Sequence, residues 1–456
     1  MSKRAQRVVL VAGMAVAAMF VAGGIGLFKA VGTGDGNGTG GSAQAASDQA
    51  ARAAAAAAQP LVPGAPLAQQ IQSLQLRLKA FPKDQRSWAD LGLAYVQQAR
   101  VTADPAFYPK AQGVLQRSLR LQPTGNLDAD TGMAALAAAR HDFSGALSWG
   151  QKGEVVDPGN ANIHAITGDA LVELGRYPEA FGEFQKAVDL KPDLATYSRG
   201  SYALELQGDG ADARRAMELA LSAAASAADQ AWADNQLGEL AFNRGDVAGA
   251  RRSYLLATRT DPTFVPPFAG LAKVEAAEGK ITDAIRDYAS VVQRYPLPEY
   301  VIALHDLYQV DGQASQAARE LGLLRVEEQL FRSNGVDMDL EIAQYNADHG
   351  LDLADGLAAA QAEWGRRQAI NVADALAWEL YANGRAAEAL PFANRALALG
   401  TRNALFFFHR GMIEGALGQT PAARADLRTA LSINPSFSVL WSKTAADTLA
   451  ALGGKA

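Results

Sequence analysis

The chain of 456 residues contains no cysteine. That absence excludes disulfides, thiolate metal sites and cysteine nucleophiles. Histidine is scarce as well, and none of the five fits a His-Glu-x-x-His helix or another metal-ligand spacing. They are His141, His164, His305, His349 and His409. No Gly-x-Ser-x-Gly elbow occurs either. The sequence therefore predicts a protein that is not an enzyme, with no catalytic residue, no metal site and no cofactor.

The glycine-rich stretch at 32–38 is no phosphate-binding loop, because no strand precedes it and no helix opens at its end.

Beyond residue 30, basic side chains are fewer than acidic ones. The formal net charge is −6, and four of the 42 basic side chains lie in the first thirty residues. The rest of the chain carries the other 38 together with all 48 acidic side chains. Because an acidic surface repels polyphosphate, nucleic acid is not an expected partner.

One long apolar run is present near the N-terminus. Val8 to Phe28 holds 21 residues without a charge, enough for a helix that spans the roughly 30 Å hydrocarbon core of a bilayer. Lys3, Arg4 and Arg7 precede the run. The positive-inside rule then predicts a cytoplasmic segment 1–7, a single transmembrane helix 8–28 and an extracytoplasmic remainder.

A cleaved signal peptide is the alternative for this run. Signal peptides usually have apolar cores of about 7–15 residues with a small-residue cleavage site close behind. Here the run is longer, and the best Ala-x-Ala match, at 43–45, lies well beyond it. Residues 29–66 are rich in glycine, alanine and proline and predict a flexible linker.

From about residue 67 the chain repeats itself every 34 residues. The clearest units are Ala161 to Leu194, Ala231 to Phe264 and Val265 to Pro298. The first unit carries its signature residues at Gly168, Leu171, Gly175, Tyr177, Ala180, Phe184, Ala187 and Pro192. The second and third show glycine, alanine, tyrosine and proline at the same offsets. Because so many offsets agree at once, the pattern is specific.

This pattern resembles the tetratricopeptide repeat (TPR) family. The resemblance implies an all-α, right-handed superhelical solenoid of about ten helix-turn-helix units. Small residues at the eighth and twentieth positions would let the two helices cross closely. Glycines such as Gly175 would end the first helix in a left-handed turn. Prolines such as Pro192 would end the second helix.

The pattern also varies along the chain. Residues 67–324 are expected to form a first block of units and 370–452 a second block with a C-terminal cap helix. The units between them, at 325–369, are degenerate and would form a joint. Terminal caps are expected because each unit buries only one side of itself.

In the repeat family, ligands usually bind on the concave face, which the first helices line. Positions 2, 5, 6, 9, 12 and 13 of each unit should point there. Amides at these positions could bind a peptide backbone and aromatic rings could supply contact area. Alternatively, residues such as Trp378 and Tyr381 pack against a neighbouring helix. The candidate contact residues are Arg199, Tyr202, Trp232, Asn235, Gln236, Glu239, Asn243, Asn371, Asp374, Trp378, Tyr381, Phe408 and His409.

These observations predict a protein- or peptide-binding scaffold, displayed on the outer face of a bacterial cytoplasmic membrane by a single-pass anchor with its N-terminus inside. The lysine and arginine set with which some relatives bind chaperone tails is missing, so that ligand is not expected. Two alternatives stay open. One is an envelope assembly factor resembling the TPR proteins of cytochrome c maturation, and the other is a self-associating structural spacer.

Overall fold

The computed structural model describes residues 67–453, and this part of the chain is helical with no strand. The helices are α1 Leu67–Ala80, α2 Gln85–Thr102, α3 Phe107–Leu121, α4 Leu127–Ala139, α5 Phe143–Val156, α6 Ala161–Glu173, α7 Tyr177–Leu190, α8 Leu194–Leu206, α9 Gly210–Ser222, α10 Ala227–Asn243 and α11 Val247–Thr260. They continue with α12 Pro266–Ala277, α13 Ile281–Arg294, α14 Pro298–Val310, α15 Ala314–Ser333, α16 Asp339–His349, α17 Leu353–Arg366, α18 Ile370–Ala382, α19 Ala386–Ala396, α20 Ala404–Ala416, α21 Thr420–Ile433 and α22 Ser442–Ala451. The predicted all-α solenoid is confirmed for residues 67–453.

Each even-numbered helix from α2 to α20 packs most extensively against the helix that follows it. These ten pairs are the repeat units, and each pair is called here a first helix and a second helix. Helix α1 precedes the first pair and α22 follows the last one, so each end of the stack is covered by a single helix. The described part of the chain thus has the ten units that the repeat pattern predicts.

Local chemistry sets where the helices begin and end. Asp142 accepts a hydrogen bond from the backbone N–H of Gly145 and caps α5, and Asp246 caps α11 in the same way. Gly175 has φ +77° in the turn between α6 and α7, a conformation that glycine adopts without the steric cost of a Cβ. Helix α7 ends at Leu190, two residues before Pro192. The predicted helix ends are confirmed here.

Small residues bring the helices of a unit together. A Cβ added to Gly238 would lie 2.5 Å from Tyr254 Cε1, and one added to Gly270 in the next unit would also lie 2.5 Å from that atom. The Tyr254 ring is therefore wedged between two glycine backbones, one from its own unit and one from its neighbour. Ala250, also at the crossing, is fully buried. The repeated glycines and alanines are small because the packing leaves no space for anything larger.

The chain curves until later units contact earlier ones, along a line that we call the seam. Hydrogen bonds cross it between residues that are 192–196 positions apart. The Ile370 N–H donates to the Tyr177 hydroxyl at 2.7 Å, and Asn434 Nδ2 donates to the Phe242 carbonyl at 2.8 Å. The other pairs are His141 with Asp337, Glu173 with Arg367, Leu206 with Thr401, and Arg100 with Tyr295.

The seam is tightly packed and carries buried charge. The turn at Gly175 lies directly against the backbone of Gln368, so that no side chain would fit there. Arg367 is 5% exposed, forms ion pairs with Glu173 across the seam and with Glu363 on α17, and lies 4.7 Å from the centre of the Phe143 ring. Breaking such a pair leaves an uncompensated buried charge, which is costly. The seam is therefore an integral part of the folded chain.

The stack is least regular between α15 and α16. Helix α15 has 20 residues, whereas the other second helices have 11–15. Within residues 67–453, α15 and α16 are the only consecutive helices whose backbones do not pack closely together. We call the two units from α14 to α17 the joint; they overlap the segment 325–369 in which the repeat pattern is degenerate. Whether it separates the blocks expected at 67–324 and 370–452 stays a prediction.

The cytoplasmic segment 1–7, the transmembrane helix 8–28 and the linker 29–66 all lie outside the described residues. Between Leu67 and Gly453, no helix combines the length and the apolar character needed to cross a bilayer. The membrane anchor therefore stays a prediction from the sequence.

Candidate functional site

All thirteen predicted contact residues lie on first helices, namely α8, α10, α18 and α20. None of them is exposed: Gln236, Glu239 and Tyr381 are partly buried and the other ten are buried. The structure brings them into three groups along the stack. Their contact with a ligand stays a prediction, but their partners within the chain are now defined.

The first group is a buried ion pair between neighbouring units. Arg199 on α8 donates to Asp169 on α6, with 2.7 Å from Nη2 to Oδ2 and 2.9 Å from Nε to Oδ1. Burial raises the pKa of Asp169 to about 6, and the Arg199 charge limits that rise. Tyr202, one turn along α8, is 6% exposed, and burial raises the pKa of its hydroxyl well above the usual range. Arg199 thus links two first helices.

Sequence reasoning missed Asp169 as a partner of Arg199. The two residues are 30 positions apart, with Asp169 the ninth residue of α6 and Arg199 the sixth residue of α8. Opposite charges at those two positions bring the side chains together on adjacent first helices. This signal was present in the sequence and required only that positions be compared between units.

The second group lies on α10. Glu239 accepts hydrogen bonds from the Tyr254 hydroxyl and the Lys273 ammonium group, both at 2.6 Å. Asn243 Nδ2 donates to Glu205 Oε1 at 3.2 Å. Burial raises the pKa of Glu205, and this hydrogen bond opposes the rise. The polar side chains of α10 therefore form hydrogen bonds with the first helices on both sides, α8 and α12.

Two amide oxygens in this group have no donor within the described part of the chain. Asn235 Oδ1 and Asn243 Oδ1 are both buried and form no hydrogen bond there. A buried acceptor without a donor costs free energy, so such an atom in a native structure calls for a partner such as water, an ion or a bound group. Trp232 on the same helix is 7% exposed and belongs to the main apolar cluster, so it contributes packing.

The third group surrounds Trp378 on α18. Its ring stacks on His409 at 4.0 Å between centroids and on Tyr381 at 4.9 Å. Its Nε1 donates to Asp348 Oδ1 at 3.0 Å. His409 Nδ1 in turn lies 3.0 Å from Asp374 Oδ2. Both faces of the Trp378 ring are occupied by the chain's own residues.

The same aromatic group reaches the last helix. Phe408 stacks on Trp441 at 5.8 Å and tilts toward Phe437 at 5.5 Å, and Trp441 Nε1 donates to Asp348 Oδ1 at 2.9 Å. Asn371, at the start of α18, is 3% exposed. These contacts attach the cap helix α22 to the stack, which is the packing role that the sequence left open for Trp378 and Tyr381.

Two of the three acidic or histidine groups that could hold a cation within residues 67–453 are already occupied by the chain. His164 Nδ1 lies 2.6 Å from Glu183, and its Nε2 lies 2.9 Å from the Pro158 carbonyl. The group of Asp337, Asp339 and Glu363 pairs with Arg366. The third group, His305, Asp306 and His349, lies at the joint. Sequence reasoning predicted no metal site and did not single it out.

A cavity of about 270 Å³ opens at the joint between α15, α16 and α17. Its charged lining comprises Arg325, Glu328, Arg332, Asp352 and Asp355. Tyr345 lies at its wall and is also the neighbour of His305, with 3.2 Å from the hydroxyl to Nε2. The cavity therefore adjoins the histidine group at the joint.

Comparison with known proteins gives likeness in architecture only. No protein-family model and no curated protein matches the chain. It is similar to the solved APC/C hetero-tetramer Cut9-Hcn1, at 14% identity over 89% of this chain and 94% of that one, with a TM-score of 0.39. It is also similar to the human IFIT1 dimer with PPP-AAAA, at 16% identity over 80% and 86%, with a TM-score of 0.45.

A shorter match is TTC0263 of Thermus thermophilus, described as a thermophilic TPR protein. It is 17% identical over 42% of this chain and 98% of that one, with a TM-score of 0.37. These scores are too low to transfer a binding partner or an activity. The helical repeat fold therefore rests on the chain's own ten helix pairs and their 34-residue period.

Proposed function

We propose that this chain is a non-enzymatic scaffold that binds an extended segment of a partner protein on its first helices, centred on α10. The observation that carries the proposal is the pair of buried amide oxygens of Asn235 and Asn243 without a donor in residues 67–453. An extended peptide presents the missing donors, because its backbone N–H groups are otherwise unpaired.

The spacing of the two asparagines supports this ligand. They are eight residues apart on one helix, which corresponds to about 12 Å along its axis. In an extended chain that rises about 3.3 Å per residue, N–H groups on one side recur at about 6.6 and 13 Å. Two N–H groups four residues apart on a bound peptide would therefore approach both oxygens, with Gln236 between them.

The position of the scaffold in the cell is the finer part of the proposal. The apolar run 8–28 behind Lys3, Arg4 and Arg7 would hold it in a bacterial cytoplasmic membrane with the repeats outside. The mass of the mature N-terminus and protease accessibility in intact spheroplasts test this part. Cleavage of the run, or protection of the repeats from protease, would contradict the anchor.

Peptide selection on the full chain tests the binding proposal. Peptides are selected from a random library and their affinity is measured by fluorescence anisotropy. We expect Asn235→Ala and Asn243→Ala each to weaken binding about 5- to 13-fold, since one hydrogen bond to a buried acceptor is worth about 1–1.5 kcal/mol. N-methylation of single backbone nitrogens in the peptide should reproduce the loss at two positions.

Asn334→Ala is the matched control, because Asn334 is a partly buried asparagine directly after α15 whose side chain hydrogen-bonds only to the end of that helix. It should leave the affinity unchanged. Equal affinities of all three variants, with unchanged melting, would refute binding at α10. If no peptide binds and light scattering shows oligomers that grow with concentration, the structural spacer replaces the scaffold.

A further inference from the structure

Three potential metal ligands meet at the joint. His305 and Asp306 lie on α14 and His349 lies on α16, and one ligand atom from each lies within 4.8 Å of the other two. His305 is 3% exposed and Asp306 is 2% exposed, and the His349 side chain is 4% exposed. Two imidazoles and a carboxylate form a set that suits zinc and its divalent neighbours.

The orientation of His305 is fixed by the backbone. Its Nδ1 lies 2.8 Å from the Ala317 carbonyl oxygen, which can only accept, so Nδ1 carries the proton and donates. The lone pair is then on Nε2, directed away from that carbonyl. A metal-binding histidine is typically held in this way, with one nitrogen donating to a carbonyl and the other facing the ion.

His349 has a buried nitrogen that the chain does not satisfy. Its Nε2 lies 3.1 Å from Asp306 Oδ1 but forms no hydrogen bond with any described residue. The His305 and His349 rings meet edge to face, with their centroids 4.9 Å apart and their planes at 88°. A cation between the three groups would use the His349 nitrogen.

Two further polar groups stand at the edge of the cluster. Gln309 Nε2 lies 2.9 Å from His305 Nε2, and the Tyr345 hydroxyl lies 3.2 Å from the same nitrogen. The oxygen and nitrogen of an amide exchange places by a half turn of the side chain. Gln309 can therefore present its oxygen as a fourth ligand once a metal occupies the His305 lone pair.

The cluster lies between two first helices, α14 and α16, at an irregular place in the stack. His305 stands at the eighth position of its unit, where Gly168, Gly238 and Ala272 stand in theirs. The unit also precedes the one place in the described chain where consecutive helices do not pack closely. A metal bound by α14 and α16 would bridge the gap that α15 leaves between them.

We propose that His305, Asp306 and His349 form a structural site for a divalent transition metal, with zinc as the best chemical fit. The ion would attach α16, and the units that follow it, to the units before the joint. This proposal is independent of peptide binding at α10.

The test uses the full chain with a purification tag that lacks histidine, stripped with a chelator and dialysed. Zinc is titrated in competition with a chromophoric chelator, and melting is followed with and without zinc. We expect one zinc ion per chain, a raised melting temperature, and with cobalt the visible absorption of a four-coordinate site. Asp306→Asn and His349→Gln keep the side-chain size and should weaken binding at least about 100-fold.

His164→Gln is the matched control for His349→Gln, since both ring nitrogens of His164 have partners in the chain, whereas His349 Nε2 has no hydrogen bond to a described residue. It should bind zinc as tightly as the unaltered protein. Zinc binding that survives in both Asp306→Asn and His349→Gln, or is lost in His164→Gln, would overturn the assignment. Absence of stoichiometric binding in the folded, unaltered chain would overturn it too.

Discussion

The regular units and the joint bring their first helices together by different means. In the unit α10–α11, Gly238 at the eighth position lets the Tyr254 ring lie against the backbone, and close backbone packing sets the geometry. In the unit α14–α15, His305 stands at that position and donates to the Ala317 carbonyl. There the second helix, α15, is longer than the other second helices, and the His305 ring on α14 packs against the Tyr345 ring on α16.

The two regions also differ in whether their buried polar groups have hydrogen-bond partners. Between α6 and α8, Asp169 and Arg199 satisfy each other with several hydrogen bonds. At the joint, His349 Nε2 has no hydrogen bond to a described residue. The ion pair between α6 and α8 is thus complete, whereas a buried ring nitrogen at the joint lacks a hydrogen-bond partner within residues 67–453.

The largest expected effect comes from removing Arg199. Arg199→Ala leaves Asp169 buried without its cation and should lower the free energy of unfolding by about 3–5 kcal/mol at pH 8. The loss should shrink at pH 5, because the Asp169 carboxyl, with a pKa of about 6 even beside Arg199, is then protonated. Denaturant unfolding at both pH values measures this.

Replacing both partners provides the control for that variant. Arg199→Met with Asp169→Leu removes the unpaired charge and should recover most of the lost stability. A single Arg199→Ala variant as stable as the unaltered chain would show that regular units do not depend on a satisfied ion pair.

A matched pair of glycine substitutions should give effects of opposite sign. Gly238→Ala places a Cβ against the Tyr254 ring and should cost about 1–3 kcal/mol. Gly322→Ala on α15, where an added Cβ meets nothing within 4 Å, should stabilise the chain by about 0.5–1 kcal/mol. Thermal melting compares the two. Equal effects would mean that the Tyr254 ring does not crowd an added Cβ at Gly238.

The final expected effect concerns Glu341 on α16. Burial raises its pKa to about 8, and the nearby Arg367 charge limits the rise. Because the folded-state pKa exceeds the unfolded one, folding takes up a proton, and this contribution to stability is full at low pH and is lost as the pH rises through about 8. Glu341→Gln cannot ionise and should reduce the fall in melting temperature between pH 6 and pH 9 by a few degrees.

Glu388→Gln serves as the control, since Glu388 is exposed and pairs with Arg385 at the surface. It should leave the pH dependence of melting unchanged. An identical slope in the Glu341→Gln variant and the unaltered chain would show that this carboxyl does not titrate with unfolding.

The sequence predicted the features that depend on neighbours within the repeat. Gly175 is in the left-handed turn and α7 ends before Pro192, because a turn and a helix end are decided by a few adjacent residues. The thirteen candidate residues lie on first helices because the 34-residue period determines which positions of each unit belong to its first helix. The side chains that these residues contact could not be predicted from the period. Trp378, for example, stacks on Tyr381 and on His409 within the chain.

The seam and the metal ligands could not be predicted in the same way. Tyr177 and Ile370 meet only because curvature accumulates over more than five units, and no local pattern encodes it. His305 could have been noticed, since it stands where other units carry glycine or alanine. His349 could not, because the joint shifts α16 out of the regular register and hides its proximity to α14.

The seam also has a consequence for how this chain folds and unfolds. A simple helical array is nearly one-dimensional, so that its ends fray and its parts melt separately. Hydrogen bonds between residues 192–196 positions apart add distant pairings that form only once the coil is nearly complete. Such pairings raise the contact order and slow folding. They also make the two ends of the array mutually dependent, so that the protein should unfold as one cooperative body rather than unit by unit.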